Sequence, residues 1–242
     1  MQPYSINIQS NDTLIHCEIS GQKDAPSLVL LHGNGEDGHI FDEQIEYFSQ
    51  YYQVIAVDTR GHGKSSRGTA PFNFYTFAAD LVNVLDRLDI GQAHIIGFSD
   101  GAITALHLAI TAPDRISSMI LLGVNYNIKG IRFIPRLSIM VVYVWLSIAS
   151  LFSADYRRRK EIWGLMVHHP DLTIEEISHI TIPTVVITGK NDMASQRQND
   201  EIAGAIAGSD RITVPGDHFW MFKTPDVLHR IVMEHLQKTK KQ

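Results

Sequence analysis

One hydroxyl in this 242-residue chain stands where a nucleophile for acyl transfer would stand. Ser99 is the centre of Gly97-Phe98-Ser99-Asp100-Gly101, a Gly-x-Ser-x-Gly pentapeptide. A short apolar run, His94-Ile95-Ile96, leads in, and a segment with helical apolar spacing leads out (Ala102, Ile103, Ala105, Leu106, Leu108, Ala109). Strand, one sharp turn and helix are the setting a nucleophile elbow requires. The turn strains its central residue, so strand and helix must come close, and Gly97 and Gly101 supply the room. Ser99 would then project from the top of a sheet, with a helix N-terminus behind it favouring developing negative charge.

A serine hydroxyl attacks only when a base takes its proton, and the base needs a third group to fix its tautomer. In an elbow-bearing α/β chain the order is Ser, acid, His. Asp192 stands just beyond the late apolar run Val185-Val186-Ile187, and His218 follows Val214-Pro215-Gly216-Asp217. Asp217 is a rival acid by sequence only, since a residue adjacent to the base usually points elsewhere. Asp58 precedes the elbow and reads as a structural partner of Arg60. His62 lies in a glycine-rich turn and reads as scaffold, and His168-His169 as surface histidines with no ligand set around them. No metal or cofactor is expected. Asp100, beside the nucleophile, has three readings: repelling an anionic substrate, receiving a cationic one, or facing solvent.

The surrounding elements can position these residues. Residues 4–9 and 13–19 predict a starting hairpin, with Ile15, Cys17 and Ile19 inward and His16 on the solvated face. Leu28–Leu31, Val54–Val57, Ser118–Leu122 and 184–188 are continuous apolar runs of the buried parallel-strand type. Between and after them, 41–51, 74–88, 102–112, 197–207 and 225–236 read as helices, and 211–214 as a last strand. The expected fold class is α/β: a mostly parallel, doubly wound sheet with sites at the strands' carboxyl ends. The alternation breaks over 125–180, which is helix-like and aromatic-rich. The expected organisation is a core of 1–124 and 181–242, with a helical cap of 125–180 inserted before the last two strands.

Composition narrows the classes. A net charge of −5 argues against nucleic acid as a partner, and only the tail 238–241 is basic, which reads as a solvated terminus. Cys17 is the only cysteine, so a reducing, cytoplasmic setting is expected, and no secretory signal is visible. The charge-free run 137–154 barely reaches the length of a membrane span. Regular βα segments on both sides would have to form one sheet across it, so membrane association is not expected.

With these motifs assembled, the chain resembles the compact capped branch of the α/β-hydrolase superfamily. The resemblance runs through His32-Gly33, Asp58-x-Arg60-Gly61-His62-Gly63-x-Ser65, the elbow, Gly189-x-x-Asp192, and His218 with Pro225 after it. The wording Gly-Phe-Ser-Asp-Gly is similar to that of ester-cleaving relatives that include valacyclovir hydrolase. The resemblance implies Ser99 as nucleophile, His218 as base, Asp192 as its orienting carboxylate, and the backbone N–H groups of Asn34 and Asp100 as oxyanion hole. A serine at the elbow argues against the dehalogenase and epoxide-hydrolase branches. The expected activity is cofactor-free cleavage of a carboxylic ester or related small acyl compound through an acyl-enzyme. Thioester, amide, carbon–carbon and perhydrolysis chemistry use the same triad. A low-turnover receptor for a small ligand and a lipase touching lipid through 137–154 are the rival classes. In the cap reading, Trp145 and Phe152 line the substrate pocket beside Ile139 and Trp163.

Overall fold

The computed structural model describes residues 3–239 and opens with the expected hairpin, β1 (Tyr4–Ser10) against β2 (Thr13–Ser20). Next come β3 (Ser27–Leu31), α1 (Asp42–Phe48), β4 (Gln53–Val57), α2 (Phe74–Arg87) and β5 (Ala93–Phe98). The segments α3 (Asp100–Thr111) and β6 (Ile116–Leu122) complete the first half. Three helices follow without a strand of the sheet: α4 (Phe133–Ala149), α5 (Ala154–His168) and α6 (Ile174–Ser178). The alternation resumes with β7 (Thr184–Gly189), α7 (Gln196–Ala205), β8 (Asp210–Val214), α8 (Trp220–Lys223) and α9 (Pro225–Thr239). Of the basic tail, Lys238 lies in the last turn of α9 and pairs with Asp210 at 2.9 Å, while 240 and 241 lie outside the described residues.

The eight strands form one sheet in the order β1-β2-β4-β3-β5-β6-β7-β8. β1, β2 and β4 pair antiparallel, and every later neighbour is parallel. Side chains alternate across a strand, so a parallel strand that is apolar at every position must be covered on both faces. In β3, Val29 and Leu31 pack beneath α2 and α3, while Leu28 and Leu30 pack against α1 and α9. The crossover order puts β3 and β5 side by side at the centre of the sheet, with their carboxyl ends together.

Two local expectations change. His16 is buried, not solvated, and its Nδ1 meets Asn7 Oδ1 at 2.8 Å. The loop after β4 runs on beside β2, where Ser65 Oγ accepts the His16 N–H, and Ser65 Oγ–H donates to the Asp58 carbonyl. Nor does Arg60 pair with Asp58. The Asp58 carboxylate accepts the backbone N–H groups of Gly38 and Lys64, both at 2.8 Å, and so shapes the loop directly. The buried Arg60 guanidinium makes a two-pronged pair with Asp80 (2.7 and 2.8 Å) and a third bond to Asp12 at 2.9 Å. This links the loop after β4 to α2 and to the β1–β2 turn.

No helix among the described residues is long and apolar enough to cross a membrane. The charge-free run is broken by the turn after Ala149, where Ser153 caps α5.

Replacing Arg60 with alanine leaves the buried Asp80 carboxylate uncompensated and is expected to cost about 3–5 kcal/mol of unfolding free energy. Arg159→Ala, which removes only an exposed pair with Asp155, should stay within about 0.5 kcal/mol. Urea denaturation of both variants checks the contrast.

Candidate active site

Ser99 adopts φ 53° and ψ −114°, a positive-φ conformation that costs a non-glycine residue on the order of 1–3 kcal/mol. Packing enforces it. A Cβ on Gly101 would lie 2.0 Å from the Leu31 carbonyl oxygen, and one on Gly97 would lie 2.5 Å from that of Gly101. Strand β5, helix α3 and the end of β3 are thus in backbone contact, and the turn between them has no wider course. The Ser99 N–H donates to the Leu122 carbonyl at 2.9 Å, which ties the elbow to β6.

Asp192 and His218 arrive on the loops after β7 and β8. Those loops are joined backbone to backbone: Lys190 N–H to Val214 O and Asn191 N–H to Gly216 O, both at 2.8 Å. A Cβ on Gly189 would lie 2.4 Å from the Asp217 carbonyl oxygen, so only glycine permits the join. The join brings His218 Nδ1 to 2.6 Å from Asp192 Oδ1 in a buried setting. The same oxygen accepts the Ala194 N–H at 2.9 Å. A carboxylate oxygen can only accept here, so Nδ1 carries the proton and Nε2 is left basic. Asp217 is half-buried and is occupied by Lys223 and by the Phe219 N–H at 3.0 Å.

Ser99 and His218 line one cavity of about 410 Å³ together with Asn34, Ile139, Trp163 and Met193. They also border a much smaller chamber behind it, with Asp100, Gly123 and His169. Among the described residues, the N–H groups of Asn34 and Asp100 have no hydrogen-bond acceptor. That of Asp100 belongs to the first turn of α3, where no intrahelical partner exists.

The Asn34 side chain has a task that the sequence reading did not foresee. Its Nδ2 donates to Asp100 Oδ2 and to the Ile162 carbonyl, both at 2.8 Å, so one amide joins the loop after β3, the elbow and α5. Asp100 does not face solvent: it is buried, and desolvation lifts its carboxyl to about 6 against the Asn34 bond that lowers it. Glu36, a residue the sequence reading missed, accepts the Gly33 N–H at 2.9 Å, and burial raises its carboxyl to about 6 as well. Met193 and Phe219 were also missed. Each directly follows a predicted site residue in the chain, and that adjacency was the available signal.

Trp145 and Phe152 do not line the cavity, which corrects the expectation. They are 55% and 82% exposed, while Ile139 and Leu146, seven residues apart on α4, are buried. One face of a helix turns inward, and Trp145 lies on another face. Phe152 lies in the turn after the helix. From 125–180, Ile139, Trp163 and Met166 reach Ser99's cavity. His62 is buried scaffold, its ring pushed down to about 3 by desolvation, and His168 is exposed and bonded to the Tyr143 hydroxyl at 2.8 Å.

The model of the alpha/beta hydrolase fold family matches residues 26–156. The chain belongs to the α/β-hydrolase fold family. Within that family, 3-oxoadipate enol-lactonase 2 of Acinetobacter baylyi is 35% identical over 113 residues, 47% of this chain and 42% of the enol-lactonase. In that match the chain spans less than half of the relative's length. The solved enol-lactonase of Burkholderia xenovorans LB400 superposes with TM-score 0.75 at 27% identity, covering 97% of this chain and 100% of the other. A hydrolase from Pseudomonas aeruginosa shares the fold at TM-score 0.81 and 22% identity, covering 97% and 98%.

The raised Asp100 carboxyl gives a stability prediction. Its protonated form is favoured in the fold, so its stabilising effect is complete below the unfolded value near 3.8 and is lost as pH rises through about 6. Asp100→Asn keeps an acceptor for Asn34 and removes the ionisation penalty, on the order of 3 kcal/mol at most. Thermal melts should show the variant more stable than wild type above pH 7, with the gain vanishing near pH 4.

Proposed function

We propose that the chain is a serine hydrolase of small, uncharged carboxylic esters, lactones included. The observation that carries this reading is the buried His218–Asp192 bond of 2.6 Å opening onto the cavity that holds Ser99. The hydrolase and enol-lactonase names of its relatives support the same class. In the proposed reaction, His218 Nε2 takes the Ser99 proton as Oγ attacks the acyl carbon. Asp192 holds the Nδ1–H and stabilises the imidazolium that forms. The Asn34 and Asp100 N–H groups receive the oxyanion. The imidazolium then protonates the leaving alcohol, and water repeats the sequence to release the acid.

Charge and shape support the substrate class. Two carboxyls, Glu36 and Asp100, flank the site, and above about pH 6 both are ionised and penalise an anion near Ser99. Residues 125–180 act as the cap, and the cavity beneath is lined by Ile139, Trp163, Met166 and Phe219. Such a lining binds by apolar burial, at about 0.8 kcal/mol per methylene, or roughly three- to fourfold in kcat/KM.

Hydrolysis of p-nitrophenyl acetate through decanoate tests the reading. Asp192→Asn should lower kcat by about 10⁴ because the tautomer is then wrong, whereas Asp217→Asn should leave kcat within about threefold. Trp163→Ala and Ile139→Ala should move the preferred chain length, and Trp145→Ala should not. A crippling Asp217→Asn, or a chain-length profile that follows Trp145, would overturn the assignment.

A further inference from the structure

Helix α4 buries Ile139 and Leu146, half-buries Val142 and Tyr143, and turns a row of other apolar side chains outward. Phe133, Ile134, Val141, Ile148, Leu151 and Phe152 are each at least 60% exposed. A soluble globule seldom leaves so large an apolar stripe in water without a partner for it. Nothing on the inner side of the molecule requires this surface, since the cavity beside Ser99 is lined from α4 by Ile139 alone.

The charges at both ends of the stripe identify the partner. From 129 to 160 the chain carries seven cations, Lys129, Arg132, Arg136, Arg157, Arg158, Arg159 and Lys160, and one carboxylate, Asp155, although the whole chain is at −5. Arg159 is paired with Asp155, and Arg158 is held by the Gly61 carbonyl at 2.7 Å. Lys129, Arg132, Arg136, Arg157 and Lys160 have no ion pair among the described residues. Arg132 and Arg136 sit at the N-terminal end of α4, where the helix dipole disfavours a cation, so the fold itself gains nothing from them. At that end Arg132 shares a groove with Phe133 and Ile134. At the other, Arg157 and Lys160 share a cleft of about 730 Å³ with Leu151. Arg157 gives one N–H to the Ser150 carbonyl at 3.3 Å but has no carboxylate partner among the described residues, so apolar stripe and cations without an ion pair are continuous at both ends.

Against the expectation from the sequence, we propose that the outer face of α4 docks on an anionic phospholipid surface. The helix lies in the interface plane, with its apolar stripe at the acyl boundary and the flanking cations among the headgroups. A second copy of the chain is disfavoured as the occupant. Two-fold association would set each cluster of cations against a surface carrying the same clusters. The groove with Arg132 and Phe133 also borders His218, so docking places an entrance to the candidate site beside the lipid.

Co-sedimentation with sucrose-loaded vesicles tests this without reference to catalysis. Vesicles are phosphatidylcholine alone, or phosphatidylcholine with about one-third phosphatidylserine. The wild-type chain should pellet with the anionic vesicles, weakly with the neutral ones, and less as salt is raised. Lys129→Gln with Arg132→Gln should lower the partition coefficient roughly thirtyfold at low salt. Ile148→Ser with Phe152→Ser should lower it about tenfold or more. All four positions are exposed, so both double variants should keep the wild-type melting temperature. Wild-type protein that stays in solution with both vesicles overturns the proposal, as do variants that pellet like wild type. Equal binding to the two vesicles overturns it as well, because the surface is then not selected by its charge. A stable dimer in sedimentation velocity that the Ile148/Phe152 variant dissolves would assign the face to self-association instead.

Discussion

The approach of three backbones at Gly101 is the constraint on which the site depends. With the Leu31 carbonyl where a Cβ would stand, the chain can pass from β5 to α3 only through a turn that strains Ser99. That strain is sustained because β3 and β5 lie side by side at the centre of the sheet, held on both faces by buried apolar residues. The same contact sets the N-terminus of α3, and so the Asp100 N–H, beside the hydroxyl. A second backbone contact, at Gly189 against the Asp217 carbonyl, does for the imidazole what the first does for the serine. Site geometry is therefore set by glycines that no side chain can replace. The charged groups are delivered to it by loops with little freedom of their own.

Electrostatics around the site follow from burial more than from pairing. Desolvation is the leading influence on Asp100 and on Glu36, and it raises both. An ionised carboxylate held in such a place reduces stability, and it persists here because Asn34 satisfies one oxygen of Asp100 and the Gly33 N–H satisfies one oxygen of Glu36. Asn34 also binds the Ile162 carbonyl, so the loop after β3, the elbow and α5 share one amide. Earlier in α5, Arg158 on the Gly61 carbonyl and Glu161 on Arg67 fasten the same helix to the loop after β4. The helix over the cavity is thus fixed by polar bonds to the sheet's upper edge.

Much of this could be read from the residues, because the informative signals were local. An apolar run, a Gly-x-Ser-x-Gly and a periodic segment describe strand, turn and helix in succession. The order Ser, Asp, His placed Asp192 and His218 at the ends of late strands, where the structure has them. What failed was direction. Trp145 and Phe152 are as apolar as Ile139 and Trp163, and composition does not say which face of α4 turns inward. That depends on the crossing of α4 over α5 and on a turn after Ala149 that only the folded chain defines. Asp100, too, read as ambiguous because its hydrogen-bond partner is Asn34, sixty-six positions away. His16 lost its expected exposure in the same manner, covered where β1 and the loop after β4 meet β2.

Covalent trapping of the nucleophile tests the central claim most directly. The chain is treated with a fluorophosphonate, its intact mass is measured, and the modified peptide is sequenced by fragmentation. The account predicts one adduct per chain, on the Ser99 hydroxyl, and no adduct in Ser99→Ala, which should also lose ester turnover while keeping its melting temperature. An adduct on another residue, or undiminished ester hydrolysis by Ser99→Ala, would contradict it.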